Sequence, residues 1–229
     1  MLIYLYTDTE ALTTDFITDC LTWFPSDQVE YVRPATRLHD RRDRIASYLL
    51  LLRALEVWQS GIHDQPLQIE DFPTLLATAQ RYKAKARNTA QASPHLSATL
   101  PHFRYGIHGK PFLEGLEGTH FNISHCSKAV ALALHDAPVG IDVECRRKVS
   151  QPLIDKACND RERTEIAGSS DPAMAFLRYW TCKESYTKYT GTGLTMDLPS
   201  ILDTIPKGVV QHTFELPFIE GYLTTTTTP

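Results

Sequence analysis

The sequence predicts an α+β protein in two halves, each a small antiparallel sheet packed with helices. Three observations carry this. Apolar residues recur at helical spacing from about 40 to 60 and again after Asp171-Pro172, whereas short branched and aromatic runs fill His120 to Glu144 and Val209 to Thr227. These runs do not alternate one for one with helices, which is the α+β pattern. Asp136-Ala137-Pro138 divides two otherwise continuous apolar runs, and Pro138 holds the preceding residue extended. That junction separates an N-terminal subdomain, 1–136, from a C-terminal one, 137–229.

In chain order, Leu2 to Tyr6 reads as a strand rich in aromatic and branched residues. Ile45, Tyr48, Leu49, Leu52, Leu55 and Val57 lie at helical spacing, so a helix runs from about Asp40 to Ser60 and Gly61 closes it. A second helix starts at Pro73, capped by Asp71, and ends near Asn88, with Lys83, Lys85 and Arg87 in its last turns as the helix dipole favours. Ala90 to Pro101 is a loop. His120 to Ser124, Ala129 to Leu134 and Val139 to Glu144 are three short strands, most simply a meander. Asp171 as N-cap and Pro172 at the first position open a long helix that Gly191 ends, its inner surface built from Met174, Leu177, Arg178, Trp180 and Thr181. Val209 to Leu216 and Ile219 to Thr227 form a last hairpin, since the threonine run is β-branched.

Composition narrows the function. A net charge of -4 and an isoelectric point near 6.1 lack the basic footprint of a nucleic-acid binder. An anionic ligand must therefore meet local clusters such as Arg41-Arg42-Asp43-Arg44, with Arg33 and Arg37 just before it. Five scattered cysteines without a Cys-x-x-Cys pair fit reduced thiols better than a disulfide framework or a zinc site. The N-terminus lacks a basic leader region, and no apolar run approaches the roughly 20 residues of a membrane span. A cytoplasmic protein without a membrane or nucleic-acid partner is expected.

Two segments hold the chemistry. Asp142 and Glu144 are two apart in an apolar run, so on a strand they share a face. Glu184 and Lys188 are four apart, so on a helix they are neighbours. Three carboxylates suit a hard divalent cation, which takes oxygen ligands and is completed by water and phosphate. Taken singly, alternating carboxylates are an exposed strand face and Glu184 with Lys188 is an intrahelical ion pair. Upstream, Gly109-Lys110-Pro111 offers close backbone approach and a charge, and Asn122-Ile123-Ser124-His125 ends a strand with a hydroxyl and an imidazole. No serine stands in the context of a nucleophile elbow, which argues against a hydrolase triad.

Together, Gly109-Lys-Pro, Asn122-Ile-Ser-His125, Gly140-Ile-Asp-Val-Glu144 and Trp180-x-x-Lys-Glu-Ser-x-x-Lys188, in this order, resemble the Sfp-type 4′-phosphopantetheinyl transferases. The resemblance implies a pseudo-dimer of two α+β subdomains with the active site between them, acting as a monomer. It implies transfer of phosphopantetheine from coenzyme A to a serine of an apo acyl or peptidyl carrier protein, with release of adenosine 3′,5′-bisphosphate. It assigns Asp142, Glu144 and Glu184 to magnesium, or manganese in its place. It matches Lys183 and Lys188 to the family's cofactor-binding helix lysines, Lys188 lying at the phosphates, and assigns Ser124 and His125 to the nucleotide phosphates, Gly109 and Lys110 to the adenine side, and Arg44, nine residues before Arg53, to the 3′-phosphate. Glu184 and Lys188 become the catalytic pair, Glu184 being the first candidate for the serine proton and Glu144 the second. Two other readings share the same residues: a coenzyme A-binding module without turnover, and a metal-dependent phosphodiester hydrolase.

Overall fold

The structure, a computed structural model, describes residues 1–61, 67–91, 100–106, 109–193 and 197–229. Its strands are β1 (Leu2–Tyr6), β2 (Gln68–Glu70), β3 (Phe103–Tyr105), β4 (Pro111–Leu113), β5 (His120–Cys126), β6 (Ala129–His135), β7 (Val139–Cys145), β8 (Val210–Leu216) and β9 (Gly221–Thr227). Its α-helices are α1 (Thr14–Cys20), α2 (Ser26–Val32), α3 (Leu38–Gln59), α4 (Phe72–Gln91), α5 (Gln151–Ala157), α6 (Asp160–Gly168) and α7 (Pro172–Thr190). Mixed helices and small sheets make the fold α+β. The strands fall into a four-stranded sheet ordered β2-β1-β6-β5, a β3-β4 hairpin, and a three-stranded sheet ordered β7-β9-β8.

The helix ends follow their capping chemistry. Asp71 accepts from the Thr74 N–H at 2.9 Å at the start of α4, and Asp171 accepts from Met174 at 3.2 Å at the start of α7. Asn159 and Glu162 close a reciprocal capping box on α6. At the other end of α7, Gly191 sits at φ 73°, the left-handed conformation that stops a helix.

Alternation along the strands sorts side chains into layers. Leu2, Tyr4 and Tyr6 of β1 pack with Leu49, Leu52 and Leu55 of α3 on one face of the four-stranded sheet. Each such leucine contributes about 1.5–3 kcal/mol through burial. On the opposite face Ile3, Leu5 and the small Ala129, Ala131 and Ala133 meet Ile141, Val143 and Cys145 of β7, so the two sheets pack on one another. The alanines permit the close approach. The remaining face of β7 carries Gly140, Asp142 and Glu144 and lies under α7, whose Phe176, Leu177 and Tyr186 join Ile154 and Ile201 in a third cluster.

Three expectations are corrected. The meander breaks after β6, because β7 pairs antiparallel with β9 and not with β5 or β6. The N–H groups of Ile141 and Val143 are taken by the Asn122 and Ser124 side chains instead of a β5 ladder, at 2.9 and 3.3 Å. The N-terminal sheet is also not wholly antiparallel, since β2 returns beside β1 in parallel after the α3 crossover. On α7 the inner surface includes Phe176, whereas Arg178 is exposed and Met174 and Trp180 are half-buried. The last hairpin forms as expected, with Thr224 to Thr227 buried in β9, but a short 3-10 turn at Pro217–Ile219 precedes that strand. Most of the expected 90–101 loop lies outside the described residues.

Candidate active site

The close seat of α7 on β7 builds the centre of the site. At Gly140 a Cβ would stand 1.9 Å from the Ser185 carbonyl oxygen and 2.4 Å from the Tyr189 nitrogen, so only a glycine admits the helix at this distance. From that seat, Lys188 Nζ donates to Asp142 Oδ1 at 2.7 Å and to Ser124 Oγ at 2.9 Å. Ser124 Oγ in turn donates to Asp142 Oδ1 at 2.8 Å. The triangle thus joins β5, β7 and α7. Asp142 is 5% exposed and its Oδ2 has no hydrogen-bond partner among the described residues.

The other two carboxylates stand around this triangle. Glu144 accepts from Arg147 at 3.1 and 3.4 Å. Burial raises its pKa most, the Arg147 hydrogen bond opposes this, and the Asp142 charge adds to the rise. Glu184 is pushed up to about 7, first by burial and then by Asp142; Lys188 pulls it down and Glu144 raises it further. Lys188 gives its ion pair to Asp142, not to Glu184 as the i,i+4 spacing suggests.

No group of three carboxylate, imidazole or thiol side chains among the described residues is already gathered as a metal shell. The donor chemistry nonetheless fits a hard divalent cation. The Asp142 charge adds to the raised proton affinity of both Glu144 and Glu184, and the buried Asp142 Oδ2 is left without a donor. A buried polar atom without a partner carries a free-energy cost that an oxygen-seeking ion removes.

Two adjoining cavities open beside the triangle, each about 290 Å³. Lys188, Glu184, Lys110 and Gly191 line the first; Arg44, Ser47, Tyr31, Tyr105 and His125 line the second; Gly109, Pro111 and Asn122 border both. The Arg44 guanidinium lies over the Tyr31 ring, 4.5 Å from its centroid, and donates to the Tyr31 carbonyl. His125 Nδ1 is 3.6 Å from the buried Asp43 carboxylate, whose pKa burial raises against the pull of His125.

The structure thus brings together Asp142, Glu184, Lys188, Ser124, Gly109, Arg44 and His125, with Glu144 beside them. Lys183 does not join them. Its ammonium is buried on the other side of α7, where it donates to Glu162 at 2.7 Å and to the Leu198 and Ala157 carbonyls at 2.8 and 2.9 Å. Lys110 lines the cavity but turns its ammonium to the carbonyls of Val139, Lys188 and Tyr189 at 3.0, 2.6 and 3.1 Å, the last two at the C-terminal end of α7. The sequence assigns no role to Tyr31, Ser47 or Arg147, nor to Asn122 and Asp43, although these two lie inside the segments Asn122-Ile123-Ser124-His125 and Arg41-Arg42-Asp43-Arg44. Asn122 had a signal, being a polar residue between the apolar Phe121 and Ile123, whereas Asp43 is one charge in the run His39 to Arg44.

Residues 138–221 match the model of the 4′-phosphopantetheinyl transferase superfamily. Among curated proteins, the chain is 32% identical over 95 residues to the 4′-phosphopantetheinyl transferase Sfp of Bacillus subtilis, covering 41% of this chain and 42% of that protein. It is 32% identical over 100 residues to the 4′-phosphopantetheinyl transferase gsp of Aneurinibacillus migulanus, covering 43% and 41%. It is 35% identical over 112 residues to the L-aminoadipate-semialdehyde dehydrogenase-phosphopantetheinyl transferase of Saccharomyces cerevisiae, covering 44% and 41%. The chain therefore matches less than half the length of these relatives. The resemblance to Sfp-type 4′-phosphopantetheinyl transferases read from the motifs is borne out.

Proposed function

We propose that this chain is a 4′-phosphopantetheinyl transferase, moving the phosphopantetheine arm of coenzyme A onto a serine hydroxyl of an apo acyl or peptidyl carrier protein and releasing adenosine 3′,5′-bisphosphate. One observation carries the reading most directly: Lys188, tied to Asp142 and Ser124, lines a cavity whose border residues Gly109, Pro111 and Asn122 also line a second one that holds Arg44 and His125. Residues 1–136 and 137–229 act as the two subdomains of a pseudo-dimer, each supplying one wall. In support, the four-stranded sheet draws only on residues 1–136 and the β7-β9-β8 sheet only on 137–229.

In this reading the anionic nucleotide end of coenzyme A occupies the second cavity. Arg44 and His125 meet its phosphates, and the Tyr31 and Tyr105 rings flank its flat base. The pyrophosphate lies against Lys188, whose ammonium is placed to leave Asp142 and bind phosphoryl oxygens as charge builds on them. Asp142, Glu144 and Glu184 would hold magnesium or manganese. When bound, such an ion supplies Lewis-acid stabilisation of phosphoryl charge. A carboxylate beside the metal, Glu184 first and Glu144 second, would accept the serine proton, directly or through water.

The test is to incubate the protein with coenzyme A, magnesium and a panel of apo acyl and peptidyl carrier proteins, and to weigh the carriers by mass spectrometry. The proposal expects one carrier to gain the phosphopantetheine mass on a single serine. Coenzyme A bound without mass gain on any carrier would overturn it in favour of a binding module, and cleavage of coenzyme A without a carrier would indicate a hydrolase.

A further inference from the structure

The facing edges of the two sheets are joined by a regular set of rungs. Asn122 of β5 accepts from the Ile141 N–H, and Ser124 of β5 accepts from the Val143 N–H. Each rung joins residues 19 apart, and each step along β5 is two residues, as side-chain alternation requires. The next rung in this register pairs Cys126 with Cys145, the last residues of β5 and β7. Cys126 packs against the buried cluster that contains Cys145, and Ser127 Oγ lies 3.2 Å from Cys145 Sγ. Cys145 is buried, whereas Cys126 is half-buried and reachable from solvent.

We propose that Cys126 and Cys145 form a reversible dithiol–disulfide rung, closed by hydrogen peroxide and reopened by a thiol reductant. Peroxide oxidises one of the two thiols to a sulfenic acid with release of one water. The other sulfur then attacks the sulfenic sulfur, a second water leaves, and the S–S bond forms, so that two thiols and one peroxide give one disulfide and two waters. The bond adds a covalent tie between β5 and β7 next to His125 and Glu144. On the transferase reading above, it slows carrier modification.

The full chain, treated with hydrogen peroxide and digested without reduction, is expected to yield the peptide pair linked through Cys126 and Cys145. The intact protein should lose two hydrogens and regain them with dithiothreitol. Cys126→Ser should abolish the linkage, and Cys182→Ser, at a half-buried thiol on α7, should leave it intact. Free thiols, a Cys126 sulfinic acid, or links to other cysteines under the same treatment would overturn the proposal. Carrier modification is expected to fall at least severalfold on oxidation and recover on reduction in the unsubstituted chain, but to stay constant in Cys126→Ser; equal rates in both redox states would overturn the regulatory role. A chain inactive even when reduced would count against the transferase reading alone, because the peptide linkage is read independently of activity.

Discussion

Lys188 and Asp142 form an ion pair at 2.7 Å in which only one carboxylate oxygen is used, while Asp142 Oδ2 stays buried and without a partner among the described residues. A lone buried acceptor costs about 1–3 kcal/mol. Glu162 Oε1 in the structural Lys183 pair stands in the same state, so it is the company of Glu144 and Glu184 that makes the Asp142 oxygen a place for a further ligand. Asp142→Ala is expected to abolish magnesium-dependent carrier modification while circular dichroism and a cooperative melt show the fold intact. Lys188→Ala should lower kcat by roughly 10²–10³-fold, the effect of removing one electrostatic donor from a reacting centre. Near-normal turnover in either variant would remove that residue from the proposed machinery.

Glu184 predicts a pH dependence of metal binding and of stability with definite signs. Its folded pKa of about 7 lies above the ordinary 4.5, so between these values the folded metal-free protein binds more protons than the unfolded chain. That contribution to stability is fully present below about 4.5 and is lost as pH rises through 7. Magnesium affinity runs the other way, rising as Glu184 gives up its proton. Thermal melts of the metal-free protein should show Glu184→Gln gaining on the unsubstituted chain from pH 5 to pH 8. Titration calorimetry should show the unsubstituted chain binding magnesium more tightly at pH 8 than at pH 6. If Glu184→Gln loses metal affinity alone and keeps the pH–rate profile, Glu184 is not the proton acceptor.

Lys183 separates the two lysines of the motif. On a helix with 3.6 residues per turn, Lys188 lies roughly 40° around from Glu184 but roughly 140° from Lys183. The Lys183–Glu162 pair is almost fully buried, at 1% and 0% side-chain exposure. Removing one partner of such a pair leaves an uncompensated charge and costs about 3–5 kcal/mol. Lys183→Met should therefore shift the urea midpoint sharply, and a second change, Glu162→Leu, should recover most of it. A Lys183→Met protein of unchanged stability that bound coenzyme A poorly would return Lys183 to the ligand.

These lysines also show what the sequence makes legible. The caps of α7, the alternation of Asp142 and Glu144, and the Glu184–Lys188 stripe depend on residues a few positions apart, where periodicity and capping rules apply. Lys183's inward direction was present in the same period and needed only the angle between it and Lys188. Two features had no local signal. The departure of β7 into a second sheet depends on β9, about 80 residues later in the chain. The turning of Lys110 toward the end of α7 depends on backbone carbonyls, which no pattern of side chains records.

Gly140 links the fold to the site and supports the last prediction. Its backbone is not in the left-handed region, so the demand for glycine there is one of space alone. A methyl at this position meets the Ser185 carbonyl and the Tyr189 backbone, neither of which is the movable end of a side chain. Gly140→Ala must displace α7 from β7, at a cost of about 1–3 kcal/mol for overpacking. The same displacement carries Lys188 and Glu184 away from Asp142, so activity should fall further than the loss of folded protein explains. Carrier modification assayed well below the melting temperature, beside the melt itself, distinguishes the two. A destabilised variant with full specific activity would mean that the helix seat serves stability only.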